Sequence, residues 1–458
     1  MYIVRGLNFI YIIMFFLCLI FLSFIALSGI SGPLVLFLSM ISIGSILIIY
    51  FSNQNDIFLK IKLFFFFFSF YLFYVLSQHY LLLNFDPTQV PYMYVDEVTF
   101  YNFSNTVYPY MYGDKDFSEL FTNYRLGVFE LPLHVMVTST ITHLSLLVDG
   151  TNTILIQKIL APFLGSLFIV ILYATLKYQF SDHIFSLKAT FSYGLLSALF
   201  VYSTPMLRDI DVALTYIIFI YLFLQPHSYK NFILLLVVAY ITTYLRLESG
   251  MVLFGVTLLY IYIYVKKVNS EALKFISYMI IIGLFIVIFL LMFDRIIGMI
   301  TVLNDGNVER STARAGKDSI GILLNKLPFG ISHTAKVLFG QLQPFPFITA
   351  VTINFRAAIS GIFWPFIFIL MVFAIIKPDI RIRIDIKIKY FLMIAIIILF
   401  LMSSEPMTRR MMSVFPIIYI VALYMFYFDN KHKVKRISYY YIAGIIILNV
   451  FYYLIKIR

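Results

Sequence analysis

The chain is predicted to be all-α: a polytopic bundle of about 13 spanning helices with two long external loops carrying interfacial helices. Three observations predict this. Hydrophobic residues make up 62% of the 458 residues. Charged residues make up only 12%, against about 25% in an average soluble domain. The mean hydropathy is +0.95. A soluble domain of this size cannot hide so much apolar surface. Intrinsic disorder needs low hydrophobicity, and a disulfide scaffold needs paired cysteines, whereas Cys18 is the only one. The net charge of +12 invites a nucleic-acid reading. In a membrane protein, basic excess sits in cytoplasmic loops, so no nucleic-acid partner is expected.

Apolar runs long enough to span fall at roughly 7–28, 33–51, 63–83, 152–176, 189–206, 210–225, 231–247, 250–265, 275–293, 352–376, 390–402, 411–428 and 438–455. The first is read as an uncleaved anchor, because its apolar core exceeds that of a signal peptide. The Phe64–Phe68 run reads as lipid-facing filler. The segment 129–148 is less apolar, with Glu130, Pro132, His134 and His143. It is read as interfacial or re-entrant. That choice puts every strongly basic short loop inside, including Lys377–Lys389 and Lys431–Arg436, with the N-terminus inside and the C-terminus outside. The resulting organisation is 1–62, two N-terminal spans; 63–293, a transmembrane catalytic module with a first external loop at 84–151; 294–351, a second external loop; and 352–458, C-terminal helices. Long loops of this kind are usually functional. The second carries an amphipathic pattern over 319–339, expected to lie on the membrane surface.

The residues able to carry chemistry cluster at outer helix ends. Asp96-Glu97, in YVDEVTFYNFSNTV, opens a helical segment. Acids suit a helix start, so an N-cap pair is one reading; a general base with an acidic neighbour is the other. Arg208-Asp209-Ile210-Asp211 places two carboxylates two residues apart, a spacing open to solvation, to pairing with Arg208, or to a divalent cation. Arg246 and Glu248 follow in YLRLES, as an ion pair or as site residues. Arg310 and Arg314, Arg356, and Arg409-Arg410 oppose the positive-inside trend. Their planar forks suit phosphate, in a lipid headgroup or in a lipid-linked substrate. The seven histidines show no ligand spacing, and no phosphate-binding glycine motif is present.

These residues resemble the GT-C superfamily of integral-membrane glycosyltransferases, in particular polyprenyl-phosphate-sugar enzymes of the family 39 mannosyltransferase type. An acidic pair in the first external loop is one hallmark. RLGVFELPLHVMVTSTITHLSLLVDGTNTILIQKILAPFLGSLFIVILYATL resembles the loop with its interfacial helix and following span. ALFVYSTPMLRDIDVALTYIIFIYLFL resembles the turn carrying the second acid. YITTYLRLESGMVLF resembles a later turn, with Leu247 where proline is expected. The resemblance covers roughly 63–293.

It implies transfer of a sugar from a polyprenyl-(di)phosphate-linked donor to an envelope glycan or lipid acceptor on the outer face. Asp96 would be the base, with Glu97 supporting it or binding acceptor. Asp209 or Asp211 would be the second acid, with or without a divalent cation such as magnesium or manganese; no metal ligands are assigned. Arg208, Arg246, Glu248, Arg310, Arg314, Arg409 and Arg410 are the candidate substrate- and phosphate-binding residues. The Ile, Lys, Phe, Asn and Tyr bias points to a bacterial cytoplasmic membrane and to polysaccharide biosynthesis at the cell envelope. The rival reading is an O-antigen or capsule polymerase or ligase using an undecaprenyl-diphosphate-linked oligosaccharide. A lipid or sugar transporter is a third, set against by the absence of a visible internal repeat.

Overall fold

The computed structural model describes residues 2–52, 56–85, 94–123, 133–150, 152–266, 327–341, 347–401, 411–429 and 431–457, with scattered positions between 270 and 290. Most of the described residues are helical, and no strand is among them. The chain divides into two compact units, 1–221 with 241–250, and 222–240 with 251–458.

The helices of the first part are α1 (Tyr2–Leu27), α2 (Gly32–Phe51), α3 (Ile57–Phe85), α4 (Val95–Tyr112), α5 (Phe117–Asn123), α6 (Leu133–Asp149), α7 (Ile154–Lys158), α8 (Leu160–Phe180), α9 (His183–Leu196) and α10 (Ala198–Tyr202). Then come α11 (Asp209–Leu224), α12 (Tyr229–Leu245) and α13 (Leu247–Val265). Their ends follow local chemistry. Gly29 closes α1 in a left-handed conformation, φ +95°, which costs glycine nothing. Pro33 sits in the first turn of α2, where its missing N–H is no loss. The Asp149 carboxylate, from the end of α6, accepts from the Ser31 and Gly32 amides at 2.8 and 2.7 Å and caps that same helix. The Asp182 side chain caps α9 through the Phe185 amide, 2.9 Å.

The core of the first unit runs along α3, which packs on α1 and α8. Phe64, Phe66, Phe67 and Phe68 are buried there. The lipid-facing reading of this run is therefore overturned. Glycine explains the difference: a Cβ at Gly44 would overlap the Phe64 ring, and one at Gly194 the Phe67 ring. The missing side chains on α2 and α9 make room for the rings.

The second unit contains α14 (Phe329–Gln341), α15 (Phe347–Ile376), α16 (Pro378–Arg383), α17 (Ile386–Leu401), α18 (Phe415–Phe428) and α19 (Lys431–Ile457). Helix α18 is apolar all round and buried from Phe415 to Met425, as expected of a helix at the centre of a bundle. The Trp364 ring stacks on Phe415, and its indole N–H donates to Gln341 Oε1 at 2.6 Å. Of the expected amphipathic helix at 319–339, α14 covers the C-terminal part, and 319–326 lie outside the described residues.

Among the described residues, six helices are long and apolar enough to cross a membrane: 32–51, 57–84, 154–180, 247–265, 355–376 and 432–454. Shorter apolar helices lie at 12–27, 133–149, 229–245 and 415–428. Large apolar side chains stay exposed along α1, α2 and α19, among them Phe24, Ile46, Ile447 and Phe451. Exposed apolar surface on this scale is what a lipid-facing wall looks like. Helix α6 is inverted relative to a soluble amphipathic helix. It buries His134, Thr138, Ser139, Thr142 and Ser145 together with Val135 and Ile141, and exposes Val137, Leu144, Leu147 and Val148.

Candidate functional site

Apart from Arg356, the described candidate acids and bases lie in the first unit, and tertiary contacts tether their turns to one another. The acidic pair opens α4. Glu97 is fully buried. Its Oε1 accepts the Tyr94 amide at 3.0 Å, closing a capping box. Its Oε2 receives Lys158 Nζ at 2.9 Å and a long contact from the Met206 amide at 3.4 Å. One carboxylate thus ties the start of α4 to α7 and to the segment leading into α11. Its neighbour Asp96 is half-buried in the same helical turn.

Asp209 and Asp211 fall in the first turn of α11, where acids complement the macrodipole. Successive positions on a helix are 100° apart, so residues two apart point to different sides. Asp209 Oδ1 accepts from the Arg246 guanidinium at 2.6 Å, and both groups are buried. Arg246 Nε also reaches Glu248 Oε1 at 3.5 Å. Asp211 instead meets His134 Nδ1 at 2.8 Å. The two carboxylates of the D-x-D spacing therefore hold different partners, a guanidinium and an imidazole. Among the described residues no group of three or more His, Cys, Asp or Glu side chains is placed to hold a metal ion.

Every buried charge here has a counter-charge, as low-dielectric surroundings demand. A neutral polar seam supports the pairs. Gln157 Nε2 donates to Ser104 Oγ at 2.9 Å and to Thr142 Oγ1 at 2.7 Å, and Ser139 Oγ donates to the Ser104 carbonyl at 2.8 Å. This seam fixes α4 against α6 and α7. The Tyr216 hydroxyl, 3.1 Å from the Ser249 carbonyl, fixes α11 against the start of α13.

Arg246 joins Asp209 to Glu248, Glu97 reaches the segment before α11 through the Met206 amide, and Asp211 holds α11 to His134 of α6, with Asp96 and Arg208 alongside in the chain. Arg310, Arg314, Arg409 and Arg410 lie outside the described residues. Arg356 is fully buried in α15 of the second unit. No protein-family model, curated protein or solved structure matches this chain.

Two members of the site have no sequence pattern to announce them. Lys158 is a single cation inside an apolar run, and charges inside spans are site candidates by cost alone; that was the available signal. His134 has no ligand-spaced neighbour. Its partner Asp211 is 77 residues away, beyond the reach of any local motif.

Proposed function

We propose that the protein is a multi-pass membrane glycosyltransferase that moves a sugar from a polyprenyl-(di)phosphate-linked donor to an envelope glycan or lipid acceptor. The observation that supports this reading is that the α4 turn and the 246–248 turn, each with its acids, are both tethered to the turn that opens α11, inside an apolar helical unit. Buried ionisable groups in a membrane segment are costly and mark sites. In this reading about 13 helices span a bacterial cytoplasmic membrane, α6 lies at the interface, and the centre faces outward.

The chemistry is a displacement. The acceptor hydroxyl gives its proton to Asp96, the half-buried acid of the α4 pair, and attacks the anomeric carbon. The bond from that carbon to the phosphate oxygen breaks, and the lipid phosphate leaves with the electron pair. Glu97, locked by Lys158 and the α4 backbone, holds the turn that presents Asp96. Preorganised cations near the leaving group stabilise its charge, a role open to Arg208 and to the arginines at 310, 314, 409 and 410.

Asp96→Asn tests the reading. Removing a general base costs about 10²–10⁴-fold in rate. The expected outcome is loss of one envelope glycan or lipid modification in cells carrying the variant, with protein abundance and helicity unchanged. An unaltered glycan profile would sink the base role. The size of the missing unit separates transfer of one sugar from transfer of an oligosaccharide, the polymerase or ligase alternative.

A further inference from the structure

His134 is placed in a way that the displacement above leaves unused. It lies in the first turn of α6, 3% exposed. Nδ1 is 2.8 Å from Asp211 Oδ2. An ionised carboxylate only accepts, so Nδ1 carries the proton of that bond. The other ring nitrogen, Nε2, is buried, and no described residue is its hydrogen-bond partner. On a neutral ring Nε2 is then a bare lone pair. That is the cheaper form of an unpartnered nitrogen, since a protonated Nε2–H would leave a cationic donor unsatisfied. The Phe100 ring packs edge-on against the imidazole, with centroids 5.1 Å apart. Asp211, at 12% side-chain exposure, is the part of the pair that solvent reaches.

We propose that His134 Nε2 is a binding point for a hydroxyl of the transferred sugar. It supplies one directed acceptor, with its tautomer set by Asp211 and the Phe100 ring packed beside it. An acceptor aimed at a hydroxyl next to an aromatic ring suits a polyhydroxylated ring with C–H faces. This rests on the sugar-transfer reading and adds to it a group that selects the sugar. Asp96 keeps the proton transfer.

Two substitutions isolate the lone pair. His134→Asn keeps an N–H near the Nδ1 position for Asp211 and deletes Nε2. Asp211→Asn can donate to Nδ1, which moves the ring proton to Nε2 and turns the acceptor into a donor. The experiment uses the full chain in nanodiscs with ¹⁵N-labelled histidine. Its probes are undecaprenyl phosphate, a panel of undecaprenyl-phosphate-linked hexoses and pentoses, and free monosaccharides at high concentration. In the wild type the Nδ1–H tautomer is expected. One sugar-bearing lipid should shift the Nε2 resonance, and the bare lipid should not. Both variants should bind that sugar lipid about tenfold more weakly and the bare lipid equally well.

An Nε2–H tautomer in the wild type overturns the proposal. So does an Nε2 shift with the bare lipid, which would make the ligand a phosphate, or unchanged affinity for the sugar lipid in both variants. If no sugar lipid binds but free monosaccharides shift Nε2, the hydroxyl site stands and lipid-linked transfer falls. If nothing shifts Nε2, the site falls by itself.

Discussion

Glu97 shows what a single buried charge commits a fold to. Its carboxylate has no exposure and is met by Lys158 at 2.9 Å. Removing one partner of such a pair leaves the other charge uncompensated, at about 3–5 kcal/mol. Lys158→Met should therefore lower the thermal midpoint of the purified protein sharply. Adding Glu97→Gln to Lys158→Met should recover part of the loss, because the orphaned charge goes with it. Additive losses from the two changes, measured by thermal unfolding in detergent, would show that the pair is not coupled. Asp211 and His134 differ in kind. The bond that aligns the ring leaves Nε2 without a described partner, so substitutions there should show first in ligand binding. The sequence marks Asp96, Glu97, Asp209, Asp211 and Arg246 as worth attention because charges are rare in so apolar a chain. It is silent on which partner each acid takes: no local pattern marks Lys158, and His134 reads only as one of the polar residues of 129–148.

At the scale of elements, helix placement follows hydropathy in most runs, although the expected span 189–206 is broken at Ser197 into α9 and α10. The expected runs 33–51, 210–225 and 411–428 correspond to α2 at 32–51, α11 at 209–224 and α18 at 415–428. Which side of a helix faces protein and which faces lipid is another matter. In a chain where both environments are apolar, a run such as Phe64–Phe68 reads the same either way. Small residues on neighbouring helices decide it, because only glycine lets α2 and α9 accept the rings of α3. Gly194→Ala would drive its Cβ into the Phe67 ring and Ile169, and overpacking of this kind costs about 1–3 kcal/mol. Gly255, in the body of α13, has open space around its Cβ position. Gly255→Ala should gain about 0.5–1 kcal/mol through backbone entropy. The two variants, compared by thermal unfolding, should move in opposite directions. Equal effects would mean that the Phe67 contact does not hold α9 in place.

For the whole molecule, the loop charges make a prediction about sidedness. The proposed orientation puts the loop after α4 outside and the basic loop at 377–389 inside. Asp114 and Asp379 are both exposed, so Asp114→Cys and Asp379→Cys are suited to labelling. The native thiol is a quiet background: Cys18 is buried and donates to the Ser69 carbonyl at 2.9 Å. A membrane-impermeant maleimide should label Asp114→Cys on intact cells and Asp379→Cys only after permeabilisation. Labelling of both from one side would refute the orientation. The amino-acid sequence alone determined the all-α class, the positions of the apolar helices, and the short list of charged residues able to form a site, because hydropathy and helical periodicity are local properties of the chain. Only the tertiary structure decided that the Phe64–Phe68 run is core, that Asp209 and Asp211 serve different partners, and that His134 Nε2 is buried with no described partner. Those outcomes depend on which helices pack together, and partners 37 or 77 residues apart are chosen by packing, which no local pattern encodes.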